Sequence, residues 1–286
     1  MKSRIQYNNP KKIEALGLPY HYEMVSDQKR VAPFKQAIEK TCKNKTVLES
    51  GTGSAIFSIL AAKAGAKKVY AVEMDSEIVE FAKGNILRNG LKKRIKLIQK
   101  DINEVTLGDL DDQKVDVVIA ENLSTWQITE PQIPIMNHIN KHLIKRSGVV
   151  IPTLIFNYFE LAQTCYNFEN IVDLKTHYFE FTGIRKPAIL SKKTLFNKID
   201  LNKTHSLNID KTIKAKVTHD GTLNSLRLTS PLQVFSEITF DSSDSLMPPV
   251  IIPLKKDISV SNGDIVGVHI KYKNNTNWNE VTVEVK

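Results

Sequence analysis

The stretch VLESGTGSA, residues 47–55, decides the fold of this chain, because an apolar run turns there into a glycine-rich corner. Val47 and Leu48 are typical of the end of a buried strand, and apolar residues at helical spacing predict a helix directly after Ala55. Gly51 and Gly53 permit positive φ and keep side chains away from a ligand, while the first amides of a helix are unpaired donors. The corner therefore predicts a strand-to-helix turn that binds a polar ligand, although two glycines at such a turn can also serve packing alone.

The amino-acid composition is typical of a globular protein. Of the 286 residues 41% are hydrophobic and 25% are charged, and no apolar run reaches the length of a bilayer span. The polar N-terminus, residues 1–10, has no apolar signal core, and two cysteines, Cys42 and Cys165, make no disulfide framework. We expect no membrane segment, a cytoplasmic location and buried thiols. No metal site is expected.

The net charge of +9 is not evenly spread. Residues 1–100 carry 20 lysines and arginines against 9 acids, whereas residues 101–150 carry 4 against 8. Many of the lysines fall at expected element ends, which is typical of a solvated surface. Nucleic-acid binding is therefore not favoured.

A βαβ unit follows the glycine corner. Residues 68–74 form an apolar strand pattern that ends at Glu73, and a helical pattern then stops at Asn89-Gly90. Glu73 lies 22 positions after Gly51, close to the spacing at which an acid meets the hydroxyls of a bound ribose. The joint pattern predicts a nucleoside ligand.

Two further strand patterns also end in acids. Residues 95–101 end at Asp101, and residues 115–121 end at Glu121. In a doubly wound parallel sheet, ligands bind outside the carboxyl ends of the strands. We therefore expect Glu49, Glu73, Asp101 and Glu121 to converge around one crevice.

The remaining patterns give the domain organisation. An apolar face from Val31 to Cys42 predicts a helix with Pro33 in its first turn, and Pro131 starts a helix that is followed by a strand at 148–152. Beyond Pro152 the apolar period becomes alternating. We predict an α/β protein: an N-terminal lead-in and helical lid (1–44), a Rossmann-like doubly wound domain (45–152) and a β-barrel-like all-β domain (153–286), with a mobile loop within 198–216.

These residues resemble the class I S-adenosylmethionine-dependent methyltransferases, and more narrowly the protein arginine methyltransferases. The likeness is strongest over residues 45–152, which carry the glycine corner and the strand that ends at Glu73. Glu121 and Glu130 have the nine-residue separation of that family's double-glutamate loop. The spacing of polar residues from His21 to Arg30 also matches the family's N-terminal helical segment.

The resemblance implies a role for each matching position. S-adenosylmethionine would be the cofactor, and Glu121, Glu130 and Asp27 would be the catalytic residues, with the two glutamates clamping a guanidinium whose planar fork suits two carboxylates. The implied cofactor-binding residues are His21, Met24, Arg30, Glu49, Gly51, Gly53, Glu73, Met74, Asp101 and Ile102. From the residues alone, Glu130 could equally be an acid that caps the following helix.

Three departures separate this chain from the family pattern. Residues 122–126, NLSTW, replace an aromatic and glycine-containing stretch between the two glutamates. The family's Thr-His-Trp loop is not found: Ser245-Leu246-Met247 stands at its place, so the histidine partner of Asp27 is missing, and Thr276-Asn277-Trp278 lies too near the end. The dimerisation arm is shortened, which leaves the family's homodimer in doubt.

The sequence thus predicts an N-methyltransferase that acts on a guanidino group. The acceptor would be protein arginine or a small compound such as free arginine, and the basic chain, of pI about 9.3, favours the small compound because it repels arginine-rich proteins. Two alternatives stay open: a methyltransferase acting on another amine or a phenol, and a cofactor-binding but inactive partner protein.

Overall fold

The computed structural model describes residues 17–286, so the predicted lead-in at residues 1–16 lies outside the described residues. Two helices come first, α1 (Leu18–Ser26) and α2 (Gln28–Thr41). Asp27 caps α2 by accepting a 3.2 Å hydrogen bond from the backbone nitrogen of Arg30. The helix therefore begins one turn earlier than predicted, and Pro33 lies inside it. Its apolar face, with Phe34 and Ile38 fully buried, packs on the sheet domain.

A five-stranded parallel sheet forms the centre of the N-terminal half. Its order is β3-β2-β1-β4-β5, so the strand order reverses between β1 and β4. This is the topological switch point at which doubly wound sheets bind ligands. The strands are β1 (Thr46–Ser50), β2 (Lys68–Glu73), β3 (Ile95–Gln99), β4 (Val115–Ala120) and β5 (Ile144–Ile151). The connecting helices are α3 (Ile56–Lys63), α4 (Ser76–Arg88) and α5 (Gln132–His142). The predicted Rossmann-like architecture is confirmed.

The pairing becomes antiparallel after β5, and we take Pro152 as the boundary. The strands of this half are β6 (Leu154–Gln163), β7 (Asn167–Phe168), β8 (Val172–Asp173), β9 (Tyr178–Phe179), β10 (Ala188–Ile189), β11 (Thr194–Asp200), β12 (Asn208–Lys216), β13 (Gly221–Thr229), β14 (Leu232–Phe235), β15 (Ile238–Phe240), β16 (Val250–Val260), β17 (Ile265–Lys273) and β18 (Thr282–Val285). The loop predicted within 198–216 is much shorter, because β11 and β12 take most of that range.

The second half is a curled half-barrel and not a closed barrel. Its largest sheet runs β15-β14-β6-β13-β16-β9, with β10 and β11 also paired to β6, and its two end strands do not pair with each other. A separate sheet has the order β12-β17-β18. The predicted β-barrel-like domain is therefore confirmed in the form of a half-barrel, since alternating apolar residues indicate strands but not which edges pair.

The molecule has two apolar cores, one for each half. Trp126 and Ile128 follow β4 in the chain, yet both belong to the core of the half-barrel. The loop between β4 and α5 therefore inserts into the second half. Cys42 is buried as expected, whereas Cys165 is exposed, contrary to the prediction. No helix among residues 17–286 is long and apolar enough to cross a membrane.

Candidate active site

A cavity of about 450 Å³ opens at the carboxyl ends of the parallel strands. It brings together residues from α1, α2, the glycine corner, the ends of β2 to β4 and the loop before α5. Twelve predicted site residues line it: His21, Met24, Arg30, Glu49, Gly51, Gly53, Glu73, Met74, Asp101, Ile102, Glu121 and Glu130. The four acids at the strand ends therefore meet around one crevice. Asp27 is the predicted site residue that does not line the cavity.

The glycine corner presents bare backbone to the cavity. Gly51 and Gly53 have φ of +67° and +51°, which only glycine adopts without strain. A Cβ on Gly53 would lie 2.9 Å from the His21 ring, and one on Gly51 would lie 2.6 Å from Nδ2 of Asn122. The start of α3 has no side-chain cap. The Ser58 amide donates to the Glu49 carboxylate, which leaves the amides of Ile56 and Phe57 as donors for a polar ligand.

Two of the strand-end acids are tied to neighbouring backbone. Glu73 accepts hydrogen bonds from the backbone nitrogens of Gly53, Met74 and Asp75, at 2.9, 2.9 and 3.1 Å. Asp101 accepts hydrogen bonds from Asn103, at 2.8 Å from the backbone and 3.0 Å from the side chain. These bonds hold both carboxylates at the rim of the cavity, where they can accept hydrogen bonds from ligand hydroxyl or amino groups.

Glu49 has a different environment, because it is buried beneath the corner. Its carboxylate accepts hydrogen bonds from the hydroxyls of Thr52, at 2.5 Å, and Ser58. Burial raises the pKa of Glu49 to about 7, against the opposing effect of these hydroxyl donors. Glu49 therefore braces the turn between β1 and α3.

Arg30 and Glu121 form a buried ion pair at the centre of the site. Two of the three guanidinium nitrogens of Arg30 donate to Oε2 of Glu121: Nε, at 2.9 Å, and Nη2. The third, Nη1, donates to the Met24 carbonyl at 2.8 Å. The two side chains are each 7% exposed. Burial raises the pKa of Glu121, and the charge of Arg30 opposes that rise.

Glu130 stands beside Glu121 without a positive partner. Burial and the charge of Glu121 raise the pKa of Glu130 to about 7. Its carboxylate makes no ion pair or hydrogen bond within residues 17–286, although its backbone nitrogen donates to Oγ of Ser124 at 3.1 Å. It does not cap α5, whose first turn contains no acid and has no side-chain cap. The site thus offers a half-buried carboxylate to an incoming cation.

The loop between the two glutamates is anchored from the half-barrel. Trp126 is fully buried and stacks on Phe196 with 4.6 Å between ring centroids. Its backbone nitrogen donates to Oγ of Ser230 at 2.8 Å. The adjacent Gln127 is also fully buried and accepts a 2.9 Å hydrogen bond from Asn157. Trp126 and Gln127 both have positive φ, 58° and 54°, so these contacts hold an uncommon backbone conformation.

Asp27 serves the site through α2. Its side chain accepts from the hydroxyl of Ser245, which lies where the family's histidine loop is expected. Burial favours a higher pKa for Asp27, but hydrogen bonds from Ser243, Ser245 and backbone amides outweigh it and lower the pKa below its usual value. The histidine is therefore absent from this contact, and a hydroxyl takes its place. Asp27 in turn fixes the helix turn that carries Arg30.

Sequence reasoning missed two amides at this site. Asn122 accepts a 2.9 Å hydrogen bond from Ser50 and donates its backbone nitrogen to Oε1 of Gln132, also at 2.9 Å. Asn275, from the half-barrel, lines the same cavity although it is 145 residues beyond Glu130 in the chain. No local pattern marks either residue. Within residues 17–286 no group of three His, Cys, Asp or Glu side chains could hold a metal ion.

The chain is similar in sequence to known methyltransferases. The family model described as ribosomal protein L11 methyltransferase (PrmA) matches residues 35–157. An arginine N(omega)-methyltransferase of Streptomyces achromogenes is 24% identical over 93% of this chain and 78% of its own length.

Two solved structures share the fold. One is the Trypanosoma brucei PRMT1 enzyme-prozyme heterotetrameric complex with AdoHcy, with a TM-score of 0.76 and 17% identity over 93% of this chain and 96% of that one. The other is Arabidopsis thaliana protein arginine methyltransferase 10, with a TM-score of 0.78 and 18% identity over 94% and 93%.

Proposed function

We propose that this chain, which is similar to class I methyltransferases and more narrowly to the protein arginine methyltransferases, transfers a methyl group from S-adenosylmethionine to a guanidino nitrogen. The observation that carries the proposal is the Glu130 carboxylate, which is half-buried beside Glu121 and has no cation within the described chain. A guanidinium would supply the missing charge, and its fork of donors can engage two carboxylates at once.

The cavity fits the proposed cofactor. The bare backbone at Gly51 and Gly53 would lie against its methionine part, and Glu73 would accept from the ribose hydroxyls. Asp101 and Ile102 would face the adenine. His21, Met24 and Met74 also line the cavity and would contact the bound cofactor. The bound cofactor supplies an electrophilic methyl on a sulfonium. The side chains of this chain then have to position a nitrogen in line with it.

The two glutamates would perform that positioning. Binding between Glu121 and Glu130 fixes the plane of the guanidinium, and their negative charge draws its positive charge away from the attacking nitrogen. That nitrogen forms a bond to carbon, the carbon–sulfur bond breaks, and one N–H proton must leave. Glu130 is the group suited to accept this proton, because it contacts the guanidinium, and both burial and the neighbouring charge of Glu121 favour its protonated form.

Arg30 would have two possible anionic partners. In this structure it binds Glu121, and a cofactor carboxylate would be the second. When Arg30 turns to the cofactor, Glu121 loses a cation and is left with a greater affinity for the substrate guanidinium. We therefore propose that the cofactor binds first.

The acceptor and the assembly are also proposals. The basic chain and the likeness to the Streptomyces enzyme over most of both chains favour a small guanidino compound over protein arginine. The hairpin of β7 and β8 exposes Phe168 (46%), Ile171 (82%) and Leu174 (58%), and we propose that it pairs two copies in a homodimer. Sedimentation of the wild type and Ile171→Ser would test this, since a dimer through another surface would be unaffected. We also propose a cytoplasmic location, which fractionation of the source cells would test.

The central experiment is a methyl-transfer screen. The intact protein is incubated with S-adenosylmethionine and one acceptor at a time: free arginine, an arginine peptide, another amine or a phenol. Methylated products are identified by mass spectrometry. Methylation of an amine or phenol in place of a guanidine would support the first alternative. Cofactor binding by calorimetry without any methylated product would support an inactive partner.

Variants of the glutamate pair sharpen the screen. Glu121→Gln and Glu130→Gln are each expected to lower kcat by about 100-fold or more, because each removes a charge from the acceptor site. Cofactor affinity should change little in Glu130→Gln. Glu104→Gln, an exposed carboxylate outside the cavity, is the control. Full activity in both site variants contradicts guanidinium binding by this pair.

A further inference from the structure

A short turn after β17 reaches from the half-barrel to the loop that carries Glu130. Nδ2 of the buried Asn274 donates to the Gln127 carbonyl at 3.2 Å, and the backbone nitrogen of Asn275 donates to the same carbonyl at 3.3 Å. The backbone nitrogen of Thr276 donates to the Ile128 carbonyl at 2.6 Å. Three hydrogen bonds therefore fix this turn relative to the acceptor side of the cavity.

Asn275 occupies a distinct place in that cavity. Among the described residues that line it, every other one lies between Tyr20 and Ile135, so Asn275 is the contribution of the half-barrel. Its side chain is exposed and has no hydrogen bond to residues 17–286. Its φ of 59° lies in the left-handed region, which asparagine tolerates better than most residues. A polar side chain is thus held at the mouth of the site and left open to a ligand.

We propose that Asn275 binds the carboxylate of a free guanidino amino acid while Glu121 and Glu130 hold its guanidinium. This inference rests on the proposed function and names the substrate class of the same site. The amide Nδ2 is a hydrogen-bond donor suited to a carboxylate, and the anchoring of the turn on Gln127 and Ile128 sets its position relative to Glu130.

The test compares free arginine with agmatine, which has the guanidino group but no carboxylate, and with an arginine peptide. Asn275→Gly removes the side chain and suits the positive φ. We expect kcat/KM for arginine to fall about 10-fold or more, since a hydrogen bond to a charged group is lost, and kcat/KM for agmatine to stay within about 2-fold. Asn275→Asp should lower kcat/KM for arginine further, because the new carboxylate repels the carboxylate of arginine. It should leave kcat/KM for agmatine unchanged or raise it.

Two further variants separate binding from support of the loop. Asn274→Ala loses an anchor of the Glu130 loop, so its kcat should fall for arginine and agmatine alike. Asn279→Ala changes an exposed asparagine outside the cavity and should leave kcat/KM for both substrates unchanged. Calorimetry of arginine and agmatine on protein saturated with S-adenosylhomocysteine gives a second readout that does not require turnover.

The outcomes are decisive in each direction. Equal losses for arginine and agmatine in Asn275→Gly, or no loss for either, overturn the assignment of Asn275. A wild type that prefers the peptide overturns the free amino acid as the substrate class, while the proposed function survives. A wild type that binds the cofactor but neither binds nor methylates any guanidine overturns the proposed function itself.

Discussion

The glycine corner and the loop from Glu121 to Glu130 line the same cavity, but different kinds of contact hold them. The corner is braced by Glu49, Thr52 and Ser58, which lie within nine residues of one another. The loop is held by partners far away in the chain: Ser230, 104 residues from Trp126, and Asn274, 147 residues from Gln127. Changes at Ser230 or Asn274 can therefore alter the acceptor side of the site without touching the contacts that brace the glycine corner.

The largest effect is expected from removing Trp126, which anchors the acceptor loop in the half-barrel core. Trp126→Ala is expected to cost about 3–5 kcal/mol of unfolding free energy, because it empties a fully buried site in the half-barrel core. At a temperature where the variant is folded, methyl transfer should be lost while cofactor affinity stays near that of the wild type. Thermal denaturation and cofactor titration measure the two effects.

The matched control for Trp126→Ala is Leu254→Ala, which lies in the same core but outside the loop. It should lower stability and retain transfer in the folded protein. If both variants lose transfer equally, the loop has no special dependence on Trp126.

A smaller effect concerns Glu130 and pH. The folded-state pKa of Glu130, about 7, lies above the value of about 4.5 in the unfolded chain, so its ionisation is disfavoured in the folded protein. The penalty is absent below pH 4.5, grows as pH rises to about 7 and is complete above it. Glu130→Gln should therefore stabilise the protein at pH 8 by about 1–3 kcal/mol relative to wild type. At pH 4.5 the gain should vanish.

Urea unfolding of the wild type and Glu130→Gln at several pH values measures this difference. A gain in unfolding free energy that does not depend on pH would show that the folded protein does not raise the pKa of Glu130. The same ionisation should make methyl transfer rise with pH through about 7, since guanidinium binding needs the charged form.

The smallest expected effect concerns the cofactor side. Gly51→Ala places a Cβ at a φ of +67° and 2.6 Å from the Asn122 amide, so it should weaken cofactor binding about 10-fold. Gly90→Ala has nearly the same φ, +68°, with nothing within 4 Å of the added Cβ. It should show a similar loss of stability with no change in cofactor affinity. Calorimetry of both variants compares them, and equal affinities would contradict the role of Gly51.

Much of the cofactor side could be predicted from sequence. The corner at Gly51 and Gly53 and the acid at Glu73 follow local strand and helix patterns, and parallel strands necessarily bring their carboxyl ends to one edge. The start of α2 was misplaced because the aspartate that caps it, Asp27, was assigned a different role. The β-barrel-like second half was predicted, but its form as a half-barrel was not, because strand patterns do not specify which edges pair.

The acceptor side was predicted less completely. The spacing of Glu121 and Glu130 suggested a pair, but a free carboxylate at Glu130 could be distinguished from a helix cap only in the folded chain. Asn122 and Asn275 were missed, because asparagine in a loop has no pattern that separates a ligand contact from a turn. Counting along the chain placed Ser245-Leu246-Met247 at the family's Thr-His-Trp loop, but the contact of Ser245 with Asp27 became visible only in the structure.

The sequence by itself determined the doubly wound sheet, the glycine corner and the gathering of four acids at one edge. These follow from residues that are near neighbours in the chain and from the regular geometry of parallel strands. Only the tertiary structure decided that Arg30 forms an ion pair with Glu121, that Glu130 is left without a cation and that Asn275 reaches the cavity. The reason is physical: burial and charge pairing depend on which distant segments pack together, and no local pattern records that choice.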